Sequence, residues 1–296
     1  EPILPILKPK DALGQIEMMQ DFWQKRVGSK PNGMWLAERV WEPSLAALLH
    51  DAGMLFTILD DQHFRHAGLS DEFLFGNFQT ERAGKSVSIF PSDKTLRYMI
   101  PFREPKEVIN HLLHLQSRFP GKAITYGDDG EKFGVWPGTY EWVIEKGWLT
   151  QFFKLLGENT EKIKTITFSE YMKMQHPEAN IYLPTASYSE MLEWAMPAQS
   201  IIKYEQAKKA VEKAGLWNNV EPFFRGGYWD NFLTKYPESN LTHKRVIYTS
   251  NKLDEAERLG HDVKKARFAL YRAQCNCAYW HGLFGGLYLN YLRHAL

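Results

Sequence analysis

The sequence predicts an α/β protein built on parallel strands, as a barrel or an open sheet, with a helical region after about Tyr188. Three observations predict it. Short apolar runs rich in β-branched residues alternate with stretches of helical period. Carboxylates gather at the downstream ends of three of those runs. Beyond Tyr188 helical stretches follow one another with few strand signals. Strand–helix alternation is how parallel strands with crossover helices are written in sequence.

The elements follow in order. Asp11 to Arg26 carries Leu13, Ile16, Met19, Phe22 and Trp23 at helical spacing and predicts the first helix. MWLA, residues 34–37, reads as a strand. PSLAALLHDAG predicts a helix with Pro43 at its start and Gly53 at its end. LFTILDD reads as a strand, and SVSIF as another. PKEVINHLLHLQSRF predicts an amphipathic helix, followed by the strand KAITY, and IKTITF reads as a further strand. SEMLEWAM, AQSIIKYEQAKKAVEKAG, HKRVIYTSNKLDEAERLG and HDVKKARFALYRAQC all read as helices. The expected division is a barrel portion over residues 1–187 and a helical region over residues 188–296 packed against it.

Composition narrows the function. Of 296 residues, 44% are hydrophobic and 24% charged, which suits a globular protein with an ample core. A net charge of +1 gives no electrostatic case for nucleic acid or an anionic membrane. No apolar run approaches a membrane span, and the opening EPILPILKPKDA lacks a signal-peptide pattern. Two cysteines, Cys275 and Cys277, form no disulfide framework, so a reducing, cytoplasmic location is expected. Without a second pair they do not predict a metal site, and no metal or other cofactor is expected. Homo-oligomer formation is compatible with the sequence. Ten tryptophans stand out; an exposed indole can hold a sugar ring by its apolar C–H face, though large domains also bury many aromatics.

Three strands end in acids: MWLA in Glu38, LFTIL in Asp60 and Asp61, KAITY in Asp128 and Asp129. In parallel α/β folds the site lies at the carboxyl ends of the strands. In GMWLAERVWEP, Glu38 and Glu42 flank Arg39, so a carboxylate delivered to a site competes with a plain salt bridge to Arg39. YGDDGEKFGVWPG fails the spacing of a calcium loop, and RAGKS lacks the first glycine of a phosphate loop. There is no GxSxG elbow or Cys–His signature. His63 and His281 are lone histidines, for which a hydrogen-bonded structural role competes with catalysis. Two carboxylates on separate strand ends, in an aromatic-rich chain, fit glycoside chemistry better than the alternatives.

GMWLAERVWEP, TILDDQHF, YGDDGEKFGVWPGTYEW, FFRGGYWDNFLTKYPESN and RAQCNCAYWHGLFGGLYL resemble glycoside hydrolase family 57, its 4-α-glucanotransferase and α-amylase branch. The resemblance runs in order along the whole chain. It implies an incomplete relative of the eight-stranded barrel, a (β/α)7 TIM-like barrel with helices completing the site, α-1,4-glucan or maltooligosaccharide substrates, and a retaining mechanism without metal. Carried onto this sequence, the Glu of the WLAER motif, Glu38, is the nucleophile, and the Asp of the DGE motif, Asp129, is the general acid/base. Glu42 has no catalytic role in that family. Candidate sugar contacts are Trp35, Trp136, Trp194, Trp229, Trp280 and His281, with Asp61 and His63 as hydrogen-bonding groups. Core packing is the competing reading for the stacking tryptophans, and a structural pair for Asp61 and His63.

The family pattern opens on a strand with a His-Gln-Pro motif, and its glucanotransferase branch closes on a β-sandwich. Neither is present, so the expectation is a central fragment. The activity expected is 4-α-glucanotransfer. α-Amylase is the alternative within the enzyme class, and a non-catalytic glucan-binding remnant the alternative outside it.

Overall fold

A computed structural model of the chain describes residues 1–280 and 287–296. In chain order it contains α1 (Pro9–Val27), β1 (Gly33–Trp35), α2 (Leu45–Asp51), β2 (Phe56–Asp60), α3 (Asp61–His66), β3 (Phe78–Arg82), β4 (Lys85–Ser92) and α4 (Lys94–Met99). There follow α5 (Pro105–Arg118), α6 (Trp148–Glu158), α7 (Phe168–Met174), α8 (Ser189–Trp194), α9 (Ala198–Lys213) and α10 (Trp217–Val220). The chain ends in α11 (Asn231–Lys235), α12 (Pro237–Arg258), α13 (Lys264–Ala273) and α14 (Leu287–Ala295). The α/β class and the incomplete barrel read from the sequence are met by one four-stranded sheet, order β1-β2-β4-β3. From α8 onward the described elements are all helical.

The chain forms two compact units. The first holds residues 1–69, 80–88 and 181–296, and the second residues 70–79 and 89–180.

In the first unit β1 and β2 run parallel, with Gly33, Met34 and Trp35 opposite Phe56, Thr57 and Ile58. The absence of a side chain at Gly33 lets the Phe56 ring lie over it, since a Cβ there would lie 2.1 Å from Phe56 Cζ. Thr57 Oγ1 donates to the Met34 carbonyl at 2.9 Å and ties the two strands a second time. Trp41 is fully buried and forms an antiparallel bridge with Ala186, its N–H donating to the Ala186 carbonyl at 2.9 Å. That bridge lays residues 186–188 beside residues 38–41, far apart in sequence. Ile3, Val40, Met191, Trp229, Phe232 and Tyr279 form the core beneath it. RGGY packs against α8, where Gly227 N–H donates to the Leu192 carbonyl at 2.7 Å; a Cβ on Gly226 would sit 2.5 Å from that same oxygen.

In the second unit Leu96, Ile100, Val108 and Trp148 form the core between α4, α5 and α6. Trp148 stacks on Phe152 at 5.2 Å, and its indole N–H donates to the Arg103 carbonyl at 2.6 Å. Ser92 makes a parallel bridge with Thr125, reinforced by Asp93 N–H to the Thr125 carbonyl at 2.8 Å.

Three strand readings change. MWLA is a strand only to Trp35; Ala37–Arg39 form a 3₁₀ turn instead. KAITY is reduced to the single bridge at Thr125, because the Ala123 carbonyl accepts from Gly76 N–H rather than from a ladder partner. IKTITF is not a strand. Its Thr167 caps α7 in a capping box, accepting from Glu170 N–H while Glu170 accepts from Thr167 N–H at 3.0 Å. The T-x-x-E spacing competed with a β-branched run, and the cap won. FQTER, which carried no strand reading, forms β3, joined to β4 through Ala83 and Gly84, both left-handed. The RAGKS stretch is this turn.

Candidate active site

Glu38 lies in the first unit, just beyond the carboxyl end of β1. Its φ is 52° and that of Arg39 is 47°. Two consecutive non-glycine residues in the left-handed region cost about 1–2 kcal/mol each. Such a conformation persists only where its surroundings impose it, and here they do. Ser187 Oγ donates to the Glu38 carbonyl. His63 Nε2 lies 2.9 Å from the Arg39 carbonyl, and His63 Nδ1 lies 3.1 Å from the Asp60 carbonyl. The Arg39 side chain is buried and ion-paired through Nε with Asp60 Oδ2. Its guanidinium carbon sits 5.1 Å over Trp35 and 4.3 Å over Tyr188. The turn swings Glu38 out of the pleat and leaves its side chain half-buried.

The carboxylate has a named partner. Tyr188 Oη donates to Glu38 Oε2 at 2.7 Å. Burial, and then the Glu38 charge, push the Tyr188 hydroxyl well above the ordinary tyrosine range, so it stays protonated and a donor. Tyr188 also meets Trp194 edge-on at 6.1 Å, and Trp194 stacks on Trp280 at 6.2 Å and 18°. An aromatic wall thus continues from the carboxylate. Glu42 is half-buried; burial, then the charge of Asp230, raise its carboxyl above the usual range.

In the second unit, Asp128 and Asp129 follow the bridge at Thr125 and have different environments. The Asp128 side chain is 1% exposed and ion-paired with Lys132, with Arg97 Nε at 3.5 Å. It also accepts from Asp129 N–H at 2.9 Å. Lys132 is itself buried and donates to the Arg97 carbonyl at 2.8 Å. Asp129 is exposed and stands at the N-terminal end of the 3₁₀ turn Gly130–Phe133. One aspartate is therefore consumed in holding the loop, and its neighbour is presented to solvent. Trp136, on the same loop, is 37% exposed and lies parallel to Phe102 at 6.3 Å and 22°.

The structure sorts the other residues singled out in the sequence. Trp35, Trp194 and Trp280 are half-buried, and Trp194 and Trp280 share one wall. Two expectations are corrected. Trp229 is 1% exposed and packs within the core against Phe232, so its ring offers no face to a sugar. His63 is fully buried with both ring nitrogens on backbone carbonyls, so it braces the turn rather than reaching a sugar hydroxyl. Asp61 is buried and ion-paired with Arg65 at 3.2 Å. His281 lies outside the described residues. Ser187 and Tyr188 were not found from sequence; 150 residues separate Tyr188 from Glu38, and the Trp41–Ala186 bridge brings the two segments side by side.

The first unit thus holds a carboxylate in a forced turn at a strand end, next to an aromatic wall, and the second holds an exposed acid on a loop that also carries an exposed tryptophan. The chain belongs to glycosyl hydrolase family 57, whose family model matches residues 1–184. The model described as alpha-amylase/4-alpha-glucanotransferase, middle domain, matches residues 227–296. The chain is 46% identical to a 4-alpha-glucanotransferase of Thermococcus litoralis over 296 residues, all of this chain and 44% of that protein. It is 44% identical to an alpha-amylase of Pyrococcus abyssi over 296 residues, again all of this chain and 44% of that protein. The crystal structure of the Thermococcus litoralis 4-alpha-glucanotransferase superposes with a TM-score of 0.91, covering 99% of this chain and 45% of that one. The chain thus spans less than half the length of the relatives it matches. Among the described residues no helix is long and apolar enough to cross a membrane.

Proposed function

We propose that this chain carries the catalytic residues of a retaining 4-α-glucanotransferase acting on α-1,4-glucans. The observation that carries the reading is the presentation of Glu38: two left-handed residues, braced by Ser187, His63 and Asp60, hold one carboxylate at a strand end. Strained non-glycine backbone of this kind clusters at functional sites.

In this reading Glu38, ionised, attacks the anomeric carbon. Asp129, protonated, gives its proton to the departing glycosidic oxygen, and a glycosyl ester on Glu38 results. A sugar hydroxyl then attacks the same carbon, Asp129 takes its proton, and the new glycosidic bond keeps the original configuration. Retention calls for carboxyl groups about 5–5.5 Å apart across the scissile bond. Trp35, Trp136, Trp194 and Trp280 are the sugar-stacking candidates, and residues 188–296 complete the site through Tyr188, Trp194 and Trp280. The protein works in the cytoplasm without a metal.

Likeness to a relative named 4-alpha-glucanotransferase at 46% identity favours transfer. Relatives named alpha-amylase at 44% identity keep hydrolysis as the second reading. Incubation of the full-length protein with maltotriose separates the two. Transfer yields maltooligosaccharides longer than the donor, whereas glucose and maltose alone reject it. Glu38→Gln must abolish turnover; a Glu38→Gln protein that binds and turns over normally removes the nucleophile assignment.

A further inference from the structure

We infer that Tyr188 is a catalytic residue for the second half of the reaction, holding the charge that returns to Glu38 when the glycosyl-enzyme breaks down. The inference rests on the assignment of Glu38 as nucleophile and adds a role that assignment does not contain.

The geometry is direct. Tyr188 Oη donates to Glu38 Oε2 at 2.7 Å, a charge-assisted distance, from a ring fixed on both sides. The Arg39 guanidinium covers it at 4.3 Å and Trp194 meets its edge at 6.1 Å. Tyr188 follows Ser187, which holds the Glu38 backbone, so a single dipeptide fixes both the main chain and the carboxylate of the nucleophile.

The consequence is unequal for the two steps. A phenol O–H binds a carboxylate more strongly than it binds a glycosyl ester, because the ester carries no net charge. In the first step the bond from Glu38 to the anomeric carbon forms as charge leaves the carboxylate, which weakens the Tyr188 hydrogen bond. In the second step the acceptor oxygen attacks the anomeric carbon and its proton passes to Asp129. The bond from that carbon to Glu38 breaks, and the electron pair returns to the carboxylate under the Tyr188 hydroxyl. Tyr188 keeps its own proton throughout. Transition-state stabilisation is therefore gained in breakdown, and the enzyme is protected from stalling as its covalent adduct.

Tyr188→Phe tests this in the full-length protein, with a maltooligosaccharyl fluoride donor, rapid quenching and intact-protein mass spectrometry. The phenyl ring keeps the Arg39 and Trp194 contacts, and a thermal melt checks folding. Breakdown is expected to slow about tenfold or more, while adduct formation changes by less than about threefold. A glycosyl adduct then accumulates, and kcat and apparent KM fall together. Incorporation of a fluorotyrosine at position 188, which makes the hydroxyl a stronger donor without changing its shape, is expected to speed breakdown. A purely structural role would lower formation and breakdown alike and would not respond to fluorination; that result, or unchanged kinetics in both variants, overturns the inference. Its failure is separable from that of the parent assignment. Turnover surviving in Glu38→Gln removes the nucleophile and Tyr188 together. An inactive Glu38→Gln protein beside unchanged breakdown in Tyr188→Phe removes only Tyr188.

Discussion

Replacing Asp60 by Asn is expected to damage the first unit far more than loss of one surface charge would. The Asp60 side chain is 4% exposed, and its partner Arg39 is 5% exposed. Asn keeps the shape and the backbone carbonyl that faces His63, but it leaves a buried guanidinium without its counter-charge. Removing one partner of such a pair costs about 3–5 kcal/mol. For a unit of roughly 200 residues, each kcal/mol lowers Tm by about 2–4 °C, so a fall of about 6–20 °C is expected. Lys85–Asp51 is the control. It is also a close pair, at 2.6 Å, but its side chains are 42% and 45% exposed. Asp51→Asn should cost no more than about 1 kcal/mol, or about 4 °C. Calorimetry of both variants in one buffer reads the difference. Activity should follow in Asp60→Asn, because a loosened Arg39 releases the turn that aims Glu38, and a misplacement near 1 Å can cost about a hundredfold. Equal small shifts in both variants would refute the reasoning and reduce Arg39–Asp60 to an incidental contact.

Three further outcomes are expected. Asp129→Asn should leave thermal stability unchanged and lower kcat about 10²–10⁴-fold. Asp128→Asn should destabilise the second unit by about 3–5 kcal/mol, because it removes the buried counter-charge of Lys132. Calorimetry and maltotriose kinetics on the two variants check this contrast. Trp136→Ala, removing an exposed ring, should weaken maltooligosaccharide binding about two- to tenfold by titration calorimetry and leave the fold intact. Burial holds His63 below its ordinary imidazole value despite the nearby Asp60 carboxylate, and burial also lowers His66 and His243. A depressed folded pKa contributes stability present above the unfolded value near 6.5 and lost as pH falls through the folded value. Tm should therefore drop as pH is lowered from about 7 toward 5, and His63→Gln should flatten that slope even though it lowers Tm at pH 7. A Tm independent of pH across that window in the unsubstituted protein contradicts it.

The sequence exposed the parts of this protein whose signals are local. Helical period placed α1, α5, α9, α12 and α13. The acidic strand ends marked Glu38, Asp60, Asp61, Asp128 and Asp129 alike, and only the family resemblance singled out Glu38 and Asp129 among them. What it hid depends on contacts between distant segments. Nothing in WLAER shows that the strand stops at Trp35 and the backbone turns left-handed, because Glu and Arg have no preference for that region. The turn is imposed by Ser187, His63 and Asp60, none adjacent in sequence. Tandem aspartates are equivalent on paper; Lys132 and Arg97 make them different. Burial likewise separated Trp229 from Trp136, since a tryptophan in a glycine-rich stretch is as readily a core plug as a platform. At Thr167 the T-x-x-E spacing and a β-branched run point to different structures in the sequence, and the capping box prevails in the fold.

The most direct test of the account is the position of the covalent label after reaction with a mechanism-based 5-fluoro glucosyl fluoride. Digestion and tandem mass spectrometry of the full-length protein should find one sugar, on Glu38, within the peptide spanning GMWLAERVWEP. A label on Glu42 or another carboxylate, or complete turnover with no covalent sugar under conditions that trap other retaining enzymes, would contradict it.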